Sequence, residues 1–230
     1  MQAAGENLAD GRVDNQERLK TYGKHIHNEA IRLRKMIEKL LDVAKADVGE
    51  TLIEPKVVCP ASLVKQYINE HRSYIEEKGF TLETSIQKDI SPTKLDIESF
   101  DAIISNLVEN SIKYSWKDKY IHISLYESNG EITLRVEDHG RGISKKAMKH
   151  IFEKFYRAED TLKAKTKGHG LGLSIVKNLV ELNGGTIRVE SEENKGTVFL
   201  VSFPIIEEAE TEAVEEPDFA AELPGNIQLT

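Results

Sequence analysis

Cysteine is almost missing from this chain. Of 230 residues only Cys59 is one, so no disulfide can close within the chain, and a reducing compartment fits it. Between Val58 and Pro60, Cys59 reads as a small apolar residue. Long apolar runs are missing too. None approaches the ~18 residues of a membrane helix, and the first residues carry no signal-peptide pattern. The expectation is a soluble chain, with membrane attachment only through a larger parent protein. Positive charge is not in excess. A formal net charge of −8 disfavours general nucleic-acid binding, although much of the acid lies beyond residue 205 and says little about the folded part. The chain as a whole is 39% hydrophobic and 30% charged, ordinary for a globular protein. The length suits one good core plus an accessory element.

The accessory element comes first. Residues 1–17 are polar and turn-rich (Asp10-Gly11, Asp14-Asn15) and read as a loop. From about Gln16 to Asp47 the positions Leu19, Gly23, Ile26, Ala30, Leu33, Ile37, Leu40 and Ala44 recur at steps of four and three. That is a heptad seam, widened by Met36 and Leu41. A helix with such a seam and no partner of its own pairs with another chain; packing onto its own domain is the competing reading. We bound this helical region at 18–49, with Gly49 as its stop.

The pattern over 51–205 is mixed. Leu52–Val58 reads as a strand, Pro60 to about Lys78 as a helix stopped by Gly79, and Phe80–Ile86 as a second strand. Asp96 caps a central helix. Tyr120–Glu127 and Glu131–Glu137 alternate around Ser128-Asn129-Gly130, a hairpin signal, and Thr186–Ser191 and Thr197–Phe203 do the same around Asn194-Lys195-Gly196. Between the hairpins lie a short helix near Lys145–His150 and a helix Leu171–Leu182. From Glu207 the chain is acidic and reads as a disordered tail, 206–230.

The central helix has two faces. Phe100, Ile104, Leu107, Val108 and Ser111 form an apolar or small stripe. Asn106, Asn110 and Lys113 share the other face, with Tyr114 beside them. Asn is a mediocre helix former, so two of them mid-helix suggest work for their side chains; a solvated polar face is the plain alternative. Further on, Asp138-His139-Gly140-Arg141-Gly142-Ile143 sets a carboxylate at a strand end before a G-x-G turn. The backbone there can approach a planar ligand, and the carboxylate can accept from an exocyclic amine. Alone, the motif is equally a plain turn. Gly168-His169-Gly170-Leu171-Gly172-Leu173 opens a helix and can offer backbone N–H groups to an anion. It follows a lysine-rich segment rather than a strand, which argues against a Rossmann unit, and no Walker A loop is present.

In combination the signals are specific. Asn-x-x-x-Asn-x-x-Lys, Asp-x-Gly-x-Gly, Ile151-Phe152-Glu153-Lys154-Phe155-Tyr156-Arg157 and Gly-x-Gly-x-Gly follow in this order at a spacing that suits one α/β sandwich. The chain resembles the catalytic and ATP-binding domain of bacterial two-component sensor histidine kinases, whose N, G1, F and G2 boxes these segments match. The resemblance covers about 51–205, including Gly184-Gly185-Thr186 and Gly196-Thr197. The long helix over Ile26–Ala46 resembles the second helix of the family's dimerisation and phosphotransfer domain.

The resemblance implies an α/β two-layer sandwich of the histidine kinase, gyrase and chaperone ATPase type, preceded by a long dimerisation helix. It implies ATP and Mg²⁺ as ligands, with Asn110 on the metal, Lys113 neutralising phosphate charge and Asn106 as a polar partner of that site. Tyr114 lines the nucleotide pocket. Asp138 accepts from the adenine amine; Gly140 and Gly142 permit close approach, with Ile143 beside them. Gly168, His169, Gly170, Leu171, Gly172 and Leu173 form the phosphate end of a lid over about 158–169, in which lysines 163, 165 and 167 either touch phosphates or are simply solvated. Phe152, Phe155 and Tyr156 pack the lid's base, dock on the helical domain or simply pack the core, Arg157 lies near the γ-phosphate, and Thr197 closes the pocket. Implied partners are a second copy, through the long helix, and a response-regulator receiver domain. The implied setting is cytoplasmic, including the cytoplasmic portion of a membrane sensor.

Two positions separate relatives. ATPases of the gyrase and chaperone type carry a glutamate four residues before the metal-binding asparagine, as a base for water. Asn106 stands there instead, which disfavours hydrolysis, and Glu109, about 100° around the helix from Asn110, is less well placed to replace it. The family's phosphoacceptor segment, a histidine followed by an acid, a basic residue and Thr-Pro, does not occur in these 230 residues. Residues 5–15 resemble the loop after the acceptor helix, so the chain is expected to start downstream of it. His25 and His27 lack the acceptor's neighbours. Three functions therefore stand: a kinase module acting on a histidine elsewhere, a non-catalytic nucleotide-binding regulator, and a hydrolytic ATPase.

Overall fold

The computed structural model describes Glu6, Asp10 and residues 15–47, 52–115, 117–157 and 169–206. The expected loop before Asn15, the lid over 158–168 with its lysines, and the tail beyond Ile206 lie wholly or mostly outside the described residues. Two compact units divide the chain between Thr51 and Leu52.

The first unit holds helix α1, Gln16–Asp47. Asn15 caps it, its Oδ1 accepting from the Glu17 N–H at 2.8 Å. Where its side chains are described the seam is largely exposed: Leu33 is 44% and Ile37 57% exposed, and Gly23 and Ala30 are exposed as well, with Ile26 half-buried.

The second unit is a five-stranded sheet packed against helices. Its elements are β1 (Lys56–Val58), α2 (Pro60–Glu77), β2 (Thr81–Ile86), β3 (Thr93–Leu95), α3 (Ile97–Tyr114), β4 (Tyr120–Ser128), β5 (Glu131–Asp138), α4 (Lys145–Met148), α5 (Gly172–Leu182), β6 (Thr186–Glu192) and β7 (Gly196–Pro204). The sheet order is β2-β4-β5-β7-β6, with only the β2–β4 pair parallel. Along β7, Thr197, Phe199, Val201 and Phe203 are buried and their neighbours are not. This two-residue period puts Ile121, Ile123 and Leu125 of β4 with Ile132, Leu134 and Val136 of β5 into the same core as α2, α3 and α5. Phe100 of α3 meets Phe203 of β7 edge-on, centroids 5.9 Å apart. Asn129 and Gly130 both have positive φ, 54° and 76°, as the tight β4–β5 turn requires.

Two expectations change. The strand expected over Leu52–Val58 shrinks to Lys56–Val58, and it pairs with β3 in a separate two-stranded sheet. Pro55, which has no N–H to give a ladder, precedes it directly. Phe80 is not in β2: its N–H closes back on the Ile75 carbonyl at 3.3 Å, finishing the end of α2.

Candidate functional site

α3 positions the first group. Its Asp96 cap accepts from the Ser99 N–H at 2.7 Å, and Phe100, Ile103, Ile104, Leu107, Val108 and Ser111 are all buried. Asn106 and Asn110 are thereby turned toward the start of α5. A Cβ on Gly172 would lie 3.2 Å from Asn106 Oδ1 and 4.0 Å from Asn110 Nδ2. The two amides differ. Asn106 Nδ2 donates to the Ala102 carbonyl at 2.8 Å, so part of its work is within its own helix. Asn110 Nδ2 is buried with no hydrogen-bond partner among the described residues. A buried amide without a partner costs about 1–3 kcal/mol, and the cost is explained if a ligand completes the site.

Asp138, at the end of β5, supplies the second group. It is 6% exposed. Oδ1 accepts from the Gly140 N–H at 2.8 Å and lies 3.4 Å from the Ser115 hydroxyl, while Oδ2 faces the Ser111 hydroxyl at 3.1 Å. Burial pushes its carboxyl above the ordinary range, and these partners, with the Thr197 amide, oppose the shift. The glycines serve the protein first. At Gly140 a Cβ would meet the Asp138 carboxylate at 2.7 Å, and at Gly142 (φ 66°) it would run into the Glu192 carbonyl. The G-x-G turn is thus shaped by the β6–β7 hairpin, to which it is tied twice more. Asn194 N–H donates to the Arg141 carbonyl at 2.7 Å, and Ile143 N–H donates to the Ser191 hydroxyl at 2.9 Å.

Both groups open onto one cavity of about 400 Å³. Asn110, Tyr114, Asp138, Gly142, Ile143, Arg157, Leu173 and Thr197 line it, as the motifs lead one to expect. Tyr114 has two cations close to its ring, Lys113 Nζ at 4.6 Å and the Arg141 guanidinium at 4.5 Å from the centroid. Burial, together with repulsion from Arg157, depresses the Arg141 pKa despite the nearby Tyr114, and both arginines line the cavity.

Other expected residues sit outside the lining. Lys113 lies over the Tyr114 ring, and Asn106 lies beside Gly172. Leu171 is buried in front of α5, its carbonyl taking the Ser174 hydroxyl at 2.8 Å. His169 and Gly170 are half-buried and Gly168 is outside the described residues. Phe155 is not a pocket residue: it is 61% exposed with φ 64°, and its N–H donates to the Gly170 carbonyl at 2.9 Å. Its neighbour Tyr156 lines the cavity instead. Sequence reasoning also missed Arg141, Ser144, Ile151, Glu193, Asn194 and Phe199 in the wall. Arg141 lies inside the G-x-G motif and was within reach; the hairpin-tip pair Glu193 and Asn194 comes in only through the β5–β7 register, Asp138 opposite Thr197.

Residues 95–207 match the family model described as histidine kinase-, DNA gyrase B- and HSP90-like ATPase. The chain carries a domain of this ATPase family over those residues. It carries the catalytic, ATP-binding domain of a histidine kinase, as its relatives agree. A signal transduction histidine-protein kinase, ArlS of Staphylococcus epidermidis, is 33% identical over 178 residues, which is 77% of this chain and 39% of the relative. Sensor protein KdpD of Clostridium acetobutylicum is 28% identical over 88% of this chain and 22% of its own length. This chain therefore spans well under half of the curated relatives it matches. The fold of the Acinetobacter baumannii histidine kinase AdeS superposes with a TM-score of 0.71 at 18% identity, over 89% of this chain and 92% of that one. Full-length ShkA, solved in complex with AMPPNP, gives 0.71 at 21% identity over 87% of this chain and 42% of ShkA. In the kinase-type domain of this chain the described helices include none long and apolar enough to cross a membrane. No cluster of three or more His, Cys, Asp or Glu able to hold a metal occurs among the described residues.

Proposed function

We propose that this chain is the ATP-binding kinase module of a sensor histidine kinase, handing the ATP γ-phosphoryl to a histidine outside these 230 residues in two-component signalling. The observation that carries the reading is the single cavity shared by the partnerless amide of Asn110 and the buried carboxylate of Asp138. A purine amine matches the acceptor Asp138, with Ile143, Phe199 and Leu173 as apolar walls and Thr197 beside the carboxylate. Arg157 and Arg141 supply positive charge for the phosphates.

Mg²⁺ fits this donor set through Asn110, whose amide oxygen is the atom offered once the side chain is turned, and water completes such a shell readily. When bound, the ion neutralises phosphate charge and aligns the terminal phosphoryl group. The protein's part is positioning: Asp138 fixes the base, α3 and the start of α5 hold the triphosphate, and Arg157 meets the charge that develops as the β–γ bond breaks. Asn106 cannot take a proton from water, which favours transfer over hydrolysis. Three further proposals follow from the same reading: the open seam of α1 pairs with a second copy, a receiver domain takes the phosphoryl from the histidine, and the chain works in the cytoplasm.

Incubation with γ-labelled ATP, with and without an added histidine-bearing dimerisation domain, tests the reading. Label on the added domain is expected. Tight binding without transfer would make the chain a non-catalytic regulator, and rapid phosphate release would make it a hydrolytic ATPase.

A further inference from the structure

α3 and α5 meet at the nucleotide site, and they are pinned to each other at the opposite end. Asn183, just past α5 and buried, accepts from the Asp96 backbone N–H through Oδ1 at 2.7 Å. Its Nδ2 donates to the Leu179 carbonyl at 2.8 Å, capping α5. Asp96 in turn caps α3 through Oδ1, and its Oδ2 accepts from the Glu54 N–H at 3.1 Å. One amide and one carboxylate thus close the start of α3, the end of α5 and the extended segment before β1. At the other end of the same helix pair, Gly172 sits against Asn106 and Asn110. The helices run antiparallel between these points. About 20 Å of α3 separates the pin from Asn110, and about 16 Å of α5 separates it from Gly172, at ~1.5 Å per residue.

Apolar packing between two helices is not directional and sets their axial offset weakly. Hydrogen bonds with defined geometry set it well. We propose that Asn183 is a positioning residue for nucleotide binding: by locking the Asp96 N–H it fixes the axial register of α3 and α5, and so the spacing between Asn110 and the glycine-led start of α5. The inference rests on the nucleotide reading of the cavity. Misplacement of about 1 Å at such a site is costly, and coupling between distant points in one fold is commonly worth several-fold in affinity.

The test measures ATP affinity in the presence of Mg²⁺ on the full chain, with thermal unfolding alongside. Asn183→Ala is expected to weaken binding about five- to tenfold. Asn183→His places ring Nδ1 as many bonds from Cα as Oδ1 and is expected to restore affinity to within about twofold. Leu82→Ala, on edge strand β2, is the control for general destabilisation and is expected to leave affinity unchanged. Unchanged affinity in Asn183→Ala, or an equal loss in Leu82→Ala, would overturn the proposal. Failure of the unaltered chain to bind ATP would instead overturn the nucleotide reading. If Asn183→Ala does not fold, hydrogen exchange on the unaltered chain decides: by reciprocity, saturating nucleotide should slow exchange of the Asp96 amide, and an unchanged rate would sink the idea.

Discussion

Asp138 costs the fold stability and gives the site its acceptor. Its carboxyl is raised above 3.8 chiefly by burial. Between 3.8 and the raised value the native state holds the proton more firmly than the unfolded one, so stability falls as pH rises through that window. Above it the cost is complete. Asp138→Asn should therefore raise the melting temperature at pH 7 by about 2–4 °C, the effect of ~1 kcal/mol in a domain of this size, and flatten the stability profile just above pH ~4. The same change should weaken ATP binding about 10- to 100-fold, since an acceptor for an amine becomes a donor. Calorimetric melts and binding titrations against pH check both; a variant no more stable than the parent would contradict the burial argument. At Asn110 the expectation is different. Asn110→Asp adds a charge beside the phosphates and should weaken binding about tenfold with the melting temperature within a few degrees, as titration and a melt would show. Gly170→Ala acts through the backbone. With φ 73° and a new Cβ only 2.7 Å from the Tyr156 carbonyl, it should cost roughly 1–2 kcal/mol by loosening the 155–156 turn.

At the scale of elements the sequence was most legible where local rules act alone. α1 spans Gln16–Asp47 and so contains the whole seam read from Leu19 to Ala44; α3 begins where Asp96 caps it, and both hairpins turn where Asn and Gly stand. Legibility failed where pairing is long-range or short. β1 and β3 have three residues each, too few to show a period, and each depends on the other across some 35 residues of chain. Phe155, expected with Phe152 and Tyr156 at the base of the lid, has a left-handed backbone and is 61% exposed, while Tyr156 lines the cavity. The open seam of α1 makes its own prediction. Leu33 and Ile37 are large, apolar and exposed, which one chain alone leaves unburied. Leu33→Glu with Ile37→Glu should convert a dimer to a monomer in light scattering while leaving ATP affinity unchanged. A dimer that survives both charges would place the interface elsewhere.

The whole molecule divides at Thr51 and Leu52, and the site lies wholly on one side of that division. Motif order revealed that Asn110, Asp138 and the Gly172 end of α5 belong together, because each motif carries its own chemistry. It could not reveal that Glu193 and Asn194 join them, since the Asn194-Lys195-Gly196 signal marks a turn and not a site, and it is the sheet register and the Asn194–Arg141 hydrogen bond that bring them in. The core of this unit, from Val58 to Phe203, draws every member from residues beyond Leu52, and so do Asp96, Asn183 and every cavity-lining residue. Residues 52–206 alone should therefore fold cooperatively, run as a monomer and bind ATP with the affinity of the full chain to within about threefold. Phosphoryl transfer should respond differently. The acceptor is a separate molecule in either case, but with α1 removed an added histidine-bearing domain has no helix seam to pair with, so it meets the donor only by diffusional encounter and loses the effective concentration, on the order of millimolar, that a bound complex supplies. Rates that rise linearly with added domain would show this, and a fragment that loses ATP affinity would show that the site depends on the first unit after all.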